Sequence, residues 1–230
     1  MTTATRYTRL RAQLDQACRA SGRKPEDVLL LAVSKTVDVD QVELAIQAGA
    51  HAFGENRPDE LLRKKNAFPN EQWHFIGNIQ SRRIRDIVSA ADLIHSVAKA
   101  DHLSRIDSAA KDQGKVQRIL LEVNVSGEES KSGFAPAEVS EVISSALEYP
   151  NIKVCGLMTM APRADADAVQ TSFSGLARLR DELQAHFDAQ GKTVCLSELS
   201  MGMTEDWQAA VPLGTTIVRV GRAIFDDMFE

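Results

Sequence analysis

Eight short apolar runs, rich in β-branched residues, recur along the 230-residue chain at 28–34, 51–54, 73–76, 93–97, 118–125, 153–158, 196–200 and 217–220. Runs this apolar suit strands buried on both faces, the habit of a parallel sheet covered by helices. Stretches of helical periodicity fall between them, at 39–48, 79–90, 100–113, 136–148, 166–190 and 205–211, and another at 7–20 precedes the first run. Asp38 stands where a helix needs its N-cap, and Pro136 suits a first helical position. Gly49, Gly114 and Gly191 follow helical runs where a left-handed cap is expected. Eight strands alternating with helices, with no second zone of composition and no long linker, predict an α/β chain. The expected form is a single (β/α)8 TIM barrel with an extra N-terminal helix, one domain over residues 1–230. A doubly wound open sheet is the alternative. It calls for a glycine-rich turn after the first strand, and Ser34-Lys35-Thr36 stands there instead.

Composition removes several classes of function. A net charge of −5 gives no electrostatic case for nucleic acid or an anionic membrane as partner. No stretch approaches the roughly 20 apolar residues that cross a bilayer, and Met1–Tyr7 lacks a signal core, so a cytoplasmic location is expected. Cys18, Cys155 and Cys195 are odd in number and far apart, which suits reduced thiols, and the five histidines show no metal-ligand spacing. No metal is expected.

In a parallel barrel the chemistry collects at the C-terminal ends of the strands. Lys35 follows the first run there, Asn56 the second and Asn124 the fifth; His74 and Gly77 belong to the third. An ammonium held against apolar walls loses solvation and becomes a nucleophilic amine; the plainer reading is a solvated lysine opening a loop. After the seventh and eighth runs come Ser200, Gly202, Thr204 and Gly221, hydroxyls and glycines where such barrels most often hold a phosphate. An amine facing an anion site fits pyridoxal phosphate, which brings an aldehyde and a phosphate. Arg219 interrupts an apolar run and needs a partner: Glu55, Glu198 or Asp206, or the pyridine nitrogen of that cofactor. His74 reads more readily as a hydrogen-bonded core or mouth residue than as a base. Met158, Met160, Met201 and Met203 read as core filler with the option of walling a ring. Residues 128–133 suggest a solvated loop or a lid, and 82–85 a helix surface.

The segments Ala32-Val33-Ser34-Lys35-Thr36, Phe53-Gly54-Glu55-Asn56, Trp73-His74-Phe75-Ile76-Gly77, Gly156-Leu157-Met158-Thr159-Met160, Leu199-Ser200-Met201-Gly202-Met203-Thr204 and Val218-Arg219-Val220-Gly221 carry a resemblance. With the run 123–134, they make the chain similar to the pyridoxal phosphate homeostasis protein family over nearly its whole length. That family is similar in turn to the barrel domain of alanine racemase. The resemblance implies that Lys35 forms the Schiff base with pyridoxal 5′-phosphate and that Arg219 faces its ring nitrogen. It also implies that Ser200 and the Gly221 region hold the phosphate and that Asn56 lines the pocket. Three positions depart from the family pattern: Arg222, where a small hydroxyl residue is usual, Asp226, near a usual glycine, and Pro58-Asp59, where Val-Gln is common. Arg222 would serve the phosphate through its backbone N–H or clamp it with its side chain.

The function implied is that of a carrier or buffer of the cofactor, not an enzyme, acting on vitamin B6 and amino-acid balance. Its expected partners are the cofactor itself and apo-enzymes as acceptors, with the chain a monomer. A racemase or decarboxylase using the same cofactor is the alternative. The related racemases take a tyrosine base from a second domain, and the two tyrosines here, Tyr7 and Tyr149, fall away from the expected mouth. A cofactor-free lysine aldolase is a third reading, and it leaves Arg219 unexplained.

Overall fold

The computed structural model describes residues 1–128, 131–162 and 165–229. Eight strands close into a parallel barrel in chain order: β1 Leu29–Val33, β2 Ala52–Glu55, β3 Gln72–Phe75, β4 Leu93–Val97, β5 Gln117–Glu122, β6 Ile152–Met158, β7 Glu198–Met203 and β8 Ile217–Val220. β8 pairs with β1, so no sheet edge is left open. Around it run α1 Thr3–Ala20, α2 Val39–Gln47, α3 Pro58–Ala67, α4 Ile84–Ala90, α5 Asp101–Asp112, α6 Val139–Ala146, α7 Ala166–Ala189 and the short α8 Trp207–Ala210 and α9 Arg222–Phe225. The expected barrel with its leading helix is the observed one. Among the described residues, no helix is long and apolar enough to cross a membrane.

Strand alternation sorts the side chains into two layers. Leu30, Ala32, Phe53, Trp73, Leu121 and Val218 point out and join the large core beneath the helices. Leu31, Ala52, Leu93, Leu120, Cys155 and Ile217 form a smaller apolar cluster of their own inside the barrel. The same alternation decides which residues emerge at the C-terminal end. After Leu31 and Val33 the next inward position is Lys35; after Ala52 and Gly54 it is Asn56.

Three elements differ most from expectation, the first being β5, which ends at Glu122, three residues short of the expected 125. α3 has no counterpart in the hydrophobic pattern, because Leu61 and Lys64 are its only buried positions. Its signals are electrostatic instead: Pro58 at the first position, Asp59 and Glu60 in the first turn, Lys64 and Lys65 in the last. β7 runs to Met203, three residues past the expected end, since Gly202 continues the strand in a left-handed conformation (φ +95°). A side chain there would collide with Trp207 and Ala210 of α8, so this glycine lets the helix close onto the strand.

α1 is anchored to the far end of the chain. Arg6 donates to the Ile224 carbonyl at 2.7 Å and pairs with Asp227 at 2.6 Å, joining α1 to α9. The basic run at 82–85 is a surface of ion pairs, Arg83 with Asp59 and Asp86 and Arg85 with Asp112, tying α4 to its neighbours.

Candidate functional site

A cavity of about 1050 Å³ opens at the C-terminal ends of the strands. Lys35, Asn56, Thr204, Arg219, Gly221 and Arg222 line it, with Val33, Ile76, Met158 and Met203 as apolar walls. The topology thus brings six of the eight expected site residues to one space. Lys35 itself is exposed, in the turn that follows β1. The expectation of an amine stripped of water by apolar walls is corrected: the strand ends at Val33, so the side chain stands in an open mouth.

Behind Lys35 the wall is polar and dry. Lys64 of α3 is fully buried; its Nζ donates to Glu55 Oε1 at 2.6 Å and to the Ser34 carbonyl at 2.8 Å. Ser34 Oγ donates to the same carboxylate oxygen at 2.6 Å. The residue before Lys35 is therefore held at both its carbonyl and its hydroxyl. Asn56 is placed by close contact: a side chain at Gly77 would lie 2.1 Å from the Asn56 carbonyl, so only glycine lets the β2 and β3 loops meet. Asn124, also expected at the mouth, is turned into its own loop, where its Oδ1 accepts from Ser126 Oγ and the Gly127 amide. In the loop expected at 128–133, Glu129 and Ser130 lie outside the described residues.

The floor of the cavity is Arg219. It is buried, and its side-chain partners are Ser200 Oγ, 2.6 Å from Nη1, and the Thr159 carbonyl, 2.9 Å from Nη2. None of the carboxylates considered from sequence contacts it: Glu55 is engaged by Lys64, Glu198 by Arg118, and Asp206 acts on it only at longer range, together with Glu122. Burial pushes its pKa down to about 10 against that distant pull. Burial in turn raises the carboxyl pKa values of Glu122 and Asp206.

Ser200 is a second correction. Its hydroxyl is completely buried inside the barrel, between Arg219 and His95, because position 200 points inward one layer below the mouth. It supports the floor and does not line the cavity. Gly202 likewise packs under α8 and does not line the cavity. The remaining pair, Thr204 and Gly221, face each other at the ends of β7 and β8, with the Gly221 amide 3.4 Å from Thr204 Oγ1. Arg222 is half exposed; its guanidinium pairs with Glu205 at 2.5 Å and lies over the Phe229 ring.

Sequence reasoning missed His95 entirely; of the two places it allowed His74, hydrogen-bonded core or mouth, the structure shows the core. His74 Nδ1 lies 2.9 Å from His95 Nε2, and His95 Nδ1 lies 2.8 Å from Ser200 Oγ, all inside the barrel. His74 faces a separate cavity of about 600 Å³ at the N-terminal end. The signal that could have found this chain was inward register: positions 74, 95, 200 and 219 all alternate with residues of the outer core.

These groups fit pyridoxal phosphate. The amine of Lys35 suits an aldehyde, and the buried guanidinium, which contacts no carboxylate, suits a ring nitrogen that accepts. Apolar walls suit a flat ring, and the hydroxyl and amide at 204 and 221 suit a phosphate.

The family described as "Alanine racemase, N-terminal domain" matches residues 6–228. A protein of Aquifex aeolicus named pyridoxal phosphate homeostasis protein is 36% identical over 230 residues, covering 99% of each chain. One of the same name from Vibrio alginolyticus is 38% identical over 92% of this chain and 90% of its own. The structure of PipY from Synechococcus elongatus PCC7942, with PLP bound, superposes with a TM-score of 0.84 at 31% identity, covering 97% of this chain and 100% of that one.

Proposed function

We propose a function from the premise that this chain belongs to the pyridoxal phosphate homeostasis protein family, on the alanine racemase N-terminal-domain barrel. It binds pyridoxal 5′-phosphate and acts in the homeostasis of that cofactor, as one binding unit over its whole length. The observation that carries the site assignment is Arg219, a buried guanidinium that contacts no carboxylate and lines the same cavity as Lys35.

When bound, the cofactor supplies an aldehyde that condenses with amines and a ring that withdraws electrons. Lys35 is the amine that attaches it, with loss of water. Arg219 would hold the ring nitrogen: having donors only, it would donate to that nitrogen's lone pair and disfavour a proton there, which would leave the ring a weak electron sink. Thr204 Oγ1 and the amides at Gly221 and Arg222 receive the phosphate, while Asn56, Met158 and Met203 confine the ring. Ser200 and Gly202 act from beneath, one by holding Arg219 and the other by seating α8.

A carrier role is favoured over turnover by the state of the groups at the mouth. Neither tyrosine lines the cavity. Among the described residues its three carboxylates are engaged: Asp165 caps α7 at the Ala168 amide, Asp206 accepts from the Met203 amide, and Glu205 pairs with Arg222. His74 faces the opposite end of the barrel. The open mouth suits transfer to an acceptor apo-enzyme, by a monomer in the cytoplasm.

Borohydride reduction of the loaded protein, followed by peptide mapping, tests the site. The cofactor is expected on Lys35, and Lys35→Ala is expected to remove both the label and the absorbance of the bound form. A label of equal stoichiometry elsewhere would reject Lys35. A panel of amino acids with saturating cofactor tests the carrier role, and sustained racemisation or decarboxylation faster than about 1 s⁻¹ would overturn it.

A further inference from the structure

We propose that His95 is a positioning residue for Arg219: with Ser200 and His74 it forms a hydrogen-bond chain of fixed direction through the barrel, which pins the guanidinium beneath the cofactor.

The direction follows from what each group can offer. Arg219 has only donors, so the Ser200 oxygen accepts from Nη1 at 2.6 Å. The single hydroxyl proton is then free for the other contact, and the chain assigns it to His95 Nδ1 at 2.8 Å, which a neutral ring can accept. A ring that accepts at Nδ1 and is neutral carries its proton on Nε2, and that proton is donated to His74 Nδ1 at 2.9 Å. The same step leaves the proton of His74 on its own Nε2, directed to the cavity at the N-terminal end that His74 lines. Burial keeps both rings neutral, and for His95 the neighbouring Arg219 adds to the effect.

Each member comes from a different strand: Arg219 from β8, Ser200 from β7, His95 from β4 and His74 from β3. The chain therefore spans the barrel from one side of the wall to the other. Nη1 is held by it and Nη2 by the Thr159 carbonyl, leaving the rest of the guanidinium for the mouth. With the Ser200 proton donated to His95, its oxygen is oriented to accept from Arg219. A glutamine at position 95 can reproduce this, accepting with its carbonyl and donating with its amide; a phenylalanine fills the space and can do neither.

The proposal rests on Arg219 facing the ring nitrogen, and its test separates the two. In the ligand-free wild-type protein, long-range proton–nitrogen correlation spectra of the imidazoles are expected to show Nδ1 unprotonated and Nε2 protonated for both His74 and His95. The opposite tautomer at His95, or a cationic ring near neutral pH, would overturn the chain whatever the cofactor does. Rotation of the Arg219 guanidinium, read in the same spectra, is expected to be slow in wild type and His95→Gln and fast in His95→Phe. Pyridoxal phosphate is then titrated into each. His95→Phe is expected to bind about tenfold more weakly, near the worth of one charge-assisted hydrogen bond, with His95→Gln close to wild type. Equal affinity in all three, or equal loss in both variants, would overturn the positioning role. If the spectra agree but Arg219→Met binds the cofactor as wild type does, the assignment of Arg219 has failed and the chain stands.

Discussion

Behind β1 and β2, outside the barrel wall, Lys64 and Glu55 meet in full burial with Ser34 between them, a cation and an anion in direct contact. Inside the wall, Arg219 carries a buried charge whose partners are a hydroxyl, a carbonyl and, beyond the hydroxyl, two neutral imidazoles. The outer cluster answers charge with charge, through Glu55 Oε1, while Glu55 Oε2 is buried without a hydrogen-bond partner among the described residues. The inner one is open, with donors converging on a space where no protein anion answers them at contact distance. Both cost desolvation. In the outer cluster the return is a fixed backbone beneath Lys35; in the inner it is a donor pre-aimed at whatever enters the mouth. A buried charge left without a contact counterion is therefore the better pointer to a binding site.

If that contrast is right, matched substitutions should behave in opposite ways. Lys64→Met leaves the Glu55 carboxylate buried without its cation, with the Ser34 hydroxyl as its remaining donor, and is expected to cost about 3–5 kcal/mol in urea unfolding; the double variant Lys64→Met/Glu55→Leu should recover most of it. Arg219→Met removes a charge that burial already disfavours, and is expected to change stability by less than about 1 kcal/mol while abolishing tight cofactor binding. Equal destabilisation by the two single variants would erase the distinction between paired and open clusters.

The inner chain also predicts a dependence on pH. Burial holds His74 at about 4, below its unfolded value near 6.5, and holds His95 well below that unfolded value too. Between those values the unfolded chain binds protons that the folded one refuses. The contribution is complete above about pH 6.5 and is lost as pH falls toward 4, roughly 3 kcal/mol for His74 alone. Arg118 and His51 reinforce this at His74 and Asp92 opposes it, while His74, Arg219 and Arg118 reinforce it at His95. Glu122 and Asp206, raised by burial, shift stability the other way as they protonate. Unfolding of wild type against His74→Phe/His95→Phe across this range isolates the histidines: the wild type should show the steeper acid loss, and parallel curves would mean that the rings are not held neutral.

The smallest effect is expected at the rim. Arg222 and Glu205 are both half exposed, so Arg222→Ala should change stability by less than about 1 kcal/mol and cofactor affinity by less than about threefold. A larger loss of affinity would bring the Arg222 side chain, and not its amide alone, into the phosphate site.

The barrel was legible because its strands are apolar on both faces and its helices on one, a pattern that survives in one dimension. α3 was not, since its buried face is a leucine and a lysine and its signals are charges. At the site, Lys35, Asn56, Thr204, Arg219 and Gly221 were legible as residues at strand ends. Ser200 was read one layer too high, and His95 was not read at all, because the run Leu93-Ile94-His95-Ser96-Val97 looks like any buried strand with polar insertions.

By itself the sequence determined the parity of the strands, and with it which side chains point into the barrel and which toward the helices. It could not determine how eight strands are staggered against one another. That stagger brings Ser200 of β7 to Arg219 of β8 on one side and to His95 of β4 across the interior, residues separated by 105 positions in the chain in the second case. Closure of the barrel decided it, because hydrogen-bond register around a closed sheet is a property of all the strands together.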